Sequence, residues 1–566
     1  MFEGYRLSPQ QRQLWMLEHE GQYAQLIIAI EGPLDKALLL QTLREVRSRY
    51  EILHTDLQFT PGMKLPVQVV IEDDHLDIQE YDLQDRKEQV KIEEYLQEVI
   101  SAHVAMRSQL ALHALLFVLS KEKHLLALTM PTFYADSASL HNLLHEIATG
   151  YALDSNQLAD AGMQYADISQ WLNDLLASED KTYTLDYLTQ VEQLISLKLP
   201  SAQAHVQHST QRASHSTLLD TDLQTKLYQL AQKQDISPAD TLLSCWQLLL
   251  WHLTLHQDFA IGVMFDGRNY AELETALGPL ALCVPLHIDL TEDMTWAAMA
   301  RQLHTLAEDI YQHQEDFLWE KVARQYQLEL QAPRFSFGFE FLRQQESYTV
   351  KHTTFSIFHQ QVATGQFELK LTCGAANSDG LSLTFDYDPA IYSAQAISRL
   401  IDQFVTVVRT VLQQPEATVG KISVLGQAEQ KFLLEEINQT AMEIEPVCLH
   451  TLFEAQVRRT PHAIALVDGS QTLTYEELDE RAGRLASYLQ ASGVGPDVLV
   501  ALYAERSLEA LVAMLAILKA GGAYVPLDPT LSLEQVATLL TNASIGIVLT
   551  TERKVQEISH EGLKVV

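Results

Sequence analysis

The stretch Pro131–Ser137, PTFYADS, gathers three hydroxyls (Thr132, Tyr134, Ser137) and one carboxylate (Asp136) within a few residues. A hydroxyl can donate a hydrogen bond but is no base near pH 7, whereas a buried carboxylate needs a cationic partner. Tyr134 reads either as a proton carrier or as a packed aromatic with a satisfied hydroxyl. Just beyond, His141 and His145 stand at i and i+4 with Glu146 beside them, a spacing that resembles metal ligands. A zinc site of the HExxH kind needs its glutamate between the histidines, and no third ligand is suggested nearby. Packed or surface histidines, and no metal, are therefore expected. His205, His208 and His215 are irregularly spaced and read as solvated linker residues.

These side chains need elements to hold them. The apolar run His124–Met130 delivers the loop, and an amphipathic helix over Ser139–Tyr151 follows it. Another helix is expected over Lys36–Tyr50, with strands over Gln25–Glu31 and His113–Leu119, an α/β or α+β layout. Thr241–Leu255 reads as a buried helix, with Ser237 as N-cap and Pro238 in its first turn. It falls short of the roughly 20 apolar residues that cross a bilayer. The polar stretch Ser201–Ser216 offers little apolar surface and marks a lobe boundary. A linker is expected at Gly426–Cys448. Beyond it a βα rhythm sets in, with helices from Tyr475, Leu508 and Leu533 and strands at Val498–Tyr503, Ala523–Leu527 and Ile545–Leu549. Lobes over 1–200 and 201–425, a linker over 426–448 and a further domain over 449–566 follow.

A chain of 566 residues exceeds one core and calls for several units. Hydrophobic residues at 47% and charged residues at 20% are ordinary globular values, which argues against disorder. The net charge of −35 opposes phosphate backbones and anionic lipid surfaces, so no nucleic acid and no membrane partner are expected. The N-terminus shows no secretory pattern, and Cys245, Cys283, Cys373 and Cys448 are scattered without CxxC spacing. A reducing, cytoplasmic setting is expected.

From Tyr5 to about Leu425 the chain resembles the condensation domain of nonribosomal peptide synthetases. LSPQQRQLW (Leu7–Trp15) looks like SxAQxRLW, RYEILHT (Arg49–Thr55) like RHExLRT, and QYADISQW (Gln164–Trp171) like YxDFxxW. IGVMFDGR (Ile261–Arg268) is similar to the glycine–arginine turn, LGPLALCVPL (Leu277–Leu286) to IGxFVNTLPL, and HQEDFLWEKV (His313–Val322) to HQDxPFExV. The resemblance implies a chloramphenicol-acetyltransferase-like two-lobed pseudodimer, whose tunnel receives two phosphopantetheine arms of carrier-protein domains. Amide formation between the tethered thioesters is the reaction it implies, with tethering supplying high local concentration. The core motif HHxxxDG, aligned on Asp136, puts Pro131 and Thr132 in place of its histidines and Ser137 in place of its glycine. Loss of an imidazole base costs on the order of 10² to 10⁴ in rate. Leu282 replaces the asparagine of FVNT, and His54 the second arginine of RHExLRT, both expected near the tunnel. Asp136 is implied to be structural, with Arg268 and Arg49 as candidate partners. The expected function is a scaffold or docking platform for carrier-bound substrates, or for a trans-acting modifying enzyme. The alternative is amide or ester formation by proximity alone.

The remainder resembles the opening of an adenylation domain of the same synthetases. TLFEAQVRRTPHAIAL (Thr451–Leu466), LTYEELDERAGRLASYL (Leu473–Leu489) and LKAGGAYVPLDP (Leu518–Pro529) carry that likeness. It implies the first βα units of an adenylate-forming fold. Nothing from Thr530 to Val566 has a glycine-rich phosphate-cradling composition. The chain is accordingly expected to be a fragment whose partner is the remainder of the synthetase, with ATP and Mg used only by a complete adenylation domain.

Overall fold

A computed structural model describes residues 4–17, 22–59, 62, 65–71, 76, 78–84, 112–153, 162–177, 188, 191–203, 212–326, 328, 333–342, 347–376, 380–444, 446–551, 555 and 563–566. They form two compact units, Met1–Glu436 and Ile437–Val566.

The first unit is built on two large six-stranded mixed sheets. One runs in the order Tyr348–Val350, Thr353–Ala363, Tyr23–Glu31, Lys123–Met130, His113–Val118 and Ile78–Asp82. All its neighbours are antiparallel except the last pair. Near-continuous apolar runs such as HLLALTM make its central strands, buried on both faces, while helices Lys36–Arg49 and Ser137–Ala152 pack on it. Asp35 caps the first of these helices by accepting from Ala37 and Leu38 amides.

The other sheet runs Leu282–His287, Ala260–Phe265, Phe335–Phe341, Phe367–Ala376, Gly380–Tyr387 and Ala213–Leu219. Its core centres on Trp246 of helix Pro238–Thr254, edge-on to Phe337, Phe385 and Phe404. That helix is the buried one expected from Thr241–Leu255, and Ser237 caps it by accepting from the Asp240 amide.

Two expectations are corrected. Strands Tyr348–Val350 and Thr353–Ala363, from the second half of the chain, cross over to complete the first sheet, so that sheet is not confined to residues before 201. The polar stretch at 201–216 is in part a strand, because Ala213–Leu219 pairs with Gly380–Tyr387 at the sheet edge, where alternate residues face water and need no apolar side chains. His215 lies in that strand opposite Phe385. His205 and His208 lie outside the described residues.

In the second unit, Leu499–Tyr503, Ala523–Pro526, Ile547–Thr550 and Lys564–Val565 form an all-parallel sheet, with helices Leu508–Lys519 and Leu533–Asn542 between the first three, as the βα rhythm predicts. Thr474 and Glu477 make a capping box at helix Tyr475–Ala491, and Ser507 caps Leu508–Lys519. Gly521 takes φ +89° after that helix, and a Cβ on Gly522 would meet Val494 at 2.6 Å. Both glycines are thus demanded by the turn into the strand.

Candidate functional site

The candidate site lies between the two sheets of the first unit, at the loop that leaves strand Lys123–Met130. The Tyr134 amide donates to the Pro131 carbonyl (3.1 Å), which turns the loop, and Asp136 then caps helix Ser137–Ala152 through the Ser139 amide (2.8 Å). Asp136 also accepts from both terminal nitrogens of Arg268 (2.8 and 3.0 Å) and from the Leu280 and Ala281 amides (2.8 and 2.9 Å). Burial alone would raise its pKa. The Arg268 guanidinium and the Ser139 hydroxyl and amide outweigh burial and hold the carboxyl below its usual range.

The backbone conforms to this pair. Gly267 holds φ +67° beside Arg268, and a Cβ there would meet the Leu280 carbonyl oxygen at 2.0 Å. Gly278, at φ +137°, faces the Tyr165 ring equally closely. Tyr165 in turn donates to the Pro279 carbonyl (3.0 Å) and shares a hydrogen bond with Ser8 (2.8 Å), while Gln314 accepts from the Gly267 amide (2.9 Å). Segments separated by hundreds of residues in sequence therefore close on one loop.

Thr132 is 1% exposed and donates to Gln22 (3.3 Å). It lines a cavity of about 50 Å³ together with Gln10, Ser137, Cys283, Glu340 and Lys370, and no imidazole is among the described residues lining it. A second cavity, about 270 Å³, is lined by His141, Tyr311 and Met264, and a third, about 70 Å³, by His359 and Asp386. Ser137 and Glu340 line all three. The Ser137 hydroxyl donates to one oxygen of Glu340 (2.5 Å) and the Lys370 ammonium to the other (2.8 Å). Burial pulls the Lys370 pKa down, but the Glu340 and Asp386 carboxylates more than offset this and raise it. Lys370 is therefore held as an ammonium against the Glu340 carboxyl group. Burial also pushes the Cys283 thiol well above its usual range.

Some sequence-based alternatives are decided here, and other expectations change. Arg49 pairs with Glu146 (2.7 Å) rather than with Asp136. His54 bonds the Arg47 carbonyl (2.9 Å) and lines none of the three cavities. Leu282 points away from the cleft into a cluster with Leu176 and Leu318, because side chains alternate along its strand and the cavity side falls to Cys283. Phe133 packs on Trp15 at 5.8 Å and lines none of the three cavities. Tyr134 is buried, and burial, with Asp56 adding, pushes its phenol pKa upward, away from a proton-carrying role. His145 packs edge-on against Tyr348 (5.3 Å), and Glu146 is held by Arg49, so these do not assemble a ligand set with His141. Asp258, His287 and Asp289 bring possible ligand atoms within 4.8 Å of one another, yet both carboxylates are exposed and the Asp258–His287 hydrogen bond (3.2 Å) accounts for much of the cluster.

The residues that sequence reasoning missed are Glu340 and Lys370. A trace of them was legible: Glu340 is the one charge in the apolar strand FSFGFEF, Lys370 sits with Glu368 in the otherwise apolar FELKL, and the two strands run side by side.

Two mixed sheets clasping a loop in this way define a chloramphenicol-acetyltransferase-like fold, followed by the start of an adenylate-forming one. A condensation-domain family model matches residues 2–434 and an AMP-binding enzyme model residues 453–565. The chain belongs to the condensation-domain family. Among curated relatives, it is 28% identical over 563 residues to tyrocidine synthase 3 of Brevibacillus parabrevis, covering 97% of this chain and 8% of that protein. It is 30% identical over 569 residues to chondramide synthase cmdD of Chondromyces crocatus, covering 97% and 14% respectively. The chain thus spans only a small part of these relatives. Among solved structures, holo-AB3403, a four-domain nonribosomal peptide synthetase bound to AMP and glycine, superposes with TM-score 0.76 at 17% identity, over 99% of this chain and 44% of that one. The X-domain in complex with OxyB from teicoplanin biosynthesis gives TM-score 0.60 at 20% identity, over 75% and 96%. Among the described residues, no helix is long and apolar enough to cross a membrane.

Proposed function

We propose that residues 1–425 act within a nonribosomal peptide synthetase as a docking platform for carrier-protein domains, in which histidine-assisted amide formation is impaired. Phosphopantetheine-tethered acyl groups are its ligands, and a modifying enzyme acting on them is its further partner. The observation that carries the reading is Thr132, buried where a base is needed, beside a cavity with no imidazole among its described lining residues. The Asp136–Arg268 pair supports it from the other side, since a platform needs the cleft's shape and not its base. The X-domain, whose solved complex holds OxyB, offers a precedent for a domain of this fold that binds another protein.

The test is to load donor and acceptor carrier domains, add the full chain, and follow condensed product by intact-protein mass spectrometry. Product no faster than a no-domain control is expected. Thr132→His, alone or with Pro131→His, should raise the rate by on the order of 10². Rapid condensation by the unmodified chain would overturn the reading. A second reading, amide or ester formation by proximity alone, is favoured by one observation: neither Leu282 nor Phe133 obstructs the cavity.

A further inference from the structure

Ser137, Glu340 and Lys370 form a hydrogen-bonded relay, and Ser137 and Glu340 border three cavities. The carboxyl group receives the Ser137 hydroxyl on one oxygen and the Lys370 ammonium on the other, so the hydroxyl proton is aimed at a base whose orientation is fixed from behind. Glu340 and Lys370 are 8% and 7% exposed, whereas Ser137 remains partly open to the cleft. Ser137 is also the first residue of a sixteen-residue helix, whose N-terminal end favours negative charge developing nearby. The two carboxylates flanking it are each paired with a cation, Asp136 with Arg268 and Glu340 with Lys370, so neither cancels that effect in full. Nucleophile, base and the group that orients the base are thus within hydrogen-bond reach in sequence, as hydroxyl-based acyl transfer requires.

We propose that Ser137 is an acyl-accepting nucleophile that unloads thioesters entering the cleft, with Glu340 as its general base and Lys370 as the positioning residue. In the first step the Ser137 Oγ attacks the thioester carbonyl. The O–C bond forms, the C–S bond breaks, and the hydroxyl proton passes to Glu340 and on to the departing thiolate. In the second step water attacks the serine ester, gives its proton to Glu340, and Ser137 recovers that proton as the ester bond breaks. The sum is thioester plus water to carboxylic acid plus thiol, with no oxidant, metal or co-reactant needed. Thr132, which faces the same cavity but bonds Gln22, has no carboxylate of this kind behind its hydroxyl. The activity goes beyond the platform reading: a platform that clears acyl groups left on it and one that only holds them both keep the same cleft.

The experiment supplies the full chain with acetyl and octanoyl thioesters of N-acetylcysteamine, follows thiol release with a chromogenic reagent, and takes intact and peptide masses after acid quenching. Thiol release above the buffer rate is expected, with a gain of one acyl mass mapped to the peptide holding Ser137. Ser137→Ala should lose thiol release by roughly 10²-fold or more. Glu340→Gln should lose it similarly. Because that change strands a buried lysine, the double variant Glu340→Gln/Lys370→Met keeps the test readable, and it should stay folded and equally slow. A Ser137→Ala chain that releases thiol at the unmodified rate overturns the proposal, as does an unmodified chain no faster than buffer. Carrier-domain binding of the unmodified chain, measured separately with a non-hydrolysable thioether, reports on the platform reading, so a failure of either reading is seen by itself.

Discussion

Adjacent residues of one loop engage two buried acid–base junctions of opposite character. At the first, Asp136 spends both oxygens on Arg268, the Ser139 amide and hydroxyl, and the Leu280 and Ala281 amides. At the second, Glu340 divides its oxygens between Lys370 and the Ser137 hydroxyl, which opens on the cavities. A carboxylate saturated by fixed donors holds structure together, since moving a proton there would break several hydrogen bonds at once. A carboxylate with one mobile proton donor can do chemistry. The contrast explains how the cleft can keep its architecture with Pro131 and Thr132, and no histidine, at those two positions.

Breaking the first junction should have the largest effect on stability. Asp136→Ala leaves Arg268 buried and uncompensated and is expected to cost about 3–5 kcal/mol, read from denaturant midpoints. The same junction has a defined pH signature. Because the folded-state pKa of Asp136 is depressed, its contribution is fully present above the unfolded value of about 3.9 and is lost as pH falls through the lower folded value. The difference between the unmodified chain and Asp136→Asn should accordingly be constant from pH 7 to 5 and shrink in stronger acid.

At the second junction, Glu340→Gln should cost up to about 3 kcal/mol, and adding Lys370→Met should recover most of it, because two uncharged partners leave no orphaned charge. Equal destabilisation in single and double variants would show that the pair does not act as one unit. Leu282→Asn, which restores the family residue, should cost about 1–3 kcal/mol by putting an amide among Leu176 and Leu318, with no gain in condensation rate. A gain in rate would mean that this strand can turn its other face to the cleft. The smallest change in stability belongs to Ser137→Ala, about 0.5–1.5 kcal/mol for one lost hydrogen bond. Its near-native midpoint beside a large loss of thiol release would separate the chemical junction from the structural one.

Much of this was legible in the residues alone. Strand His124–Met130 and the helix after the loop follow from apolar runs and periodicity, and Arg268 was one of two named partners for Asp136. The βα succession after Tyr475 is equally direct, because caps at Thr474 and Ser507 and the Gly521–Gly522 break mark its boundaries. The direction of Leu282 was not legible, since a strand's pattern says which residues share a face but not which face meets the cleft when both are apolar. Nor was the strand character of Ala213–Leu219, an edge strand whose polar residues mimic a linker.

By itself the sequence determined the local elements, the loop that joins them, the family and the absence of histidine at positions 131 and 132, because each is written in neighbouring residues. Only the tertiary structure decided that Arg268 and not Arg49 meets Asp136, that Thr353–Ala363 completes the first sheet, and that Ser137, Glu340 and Lys370 touch. Those are contacts between distant residues whose charge and size suit several partners, and chain geometry and close packing select among them.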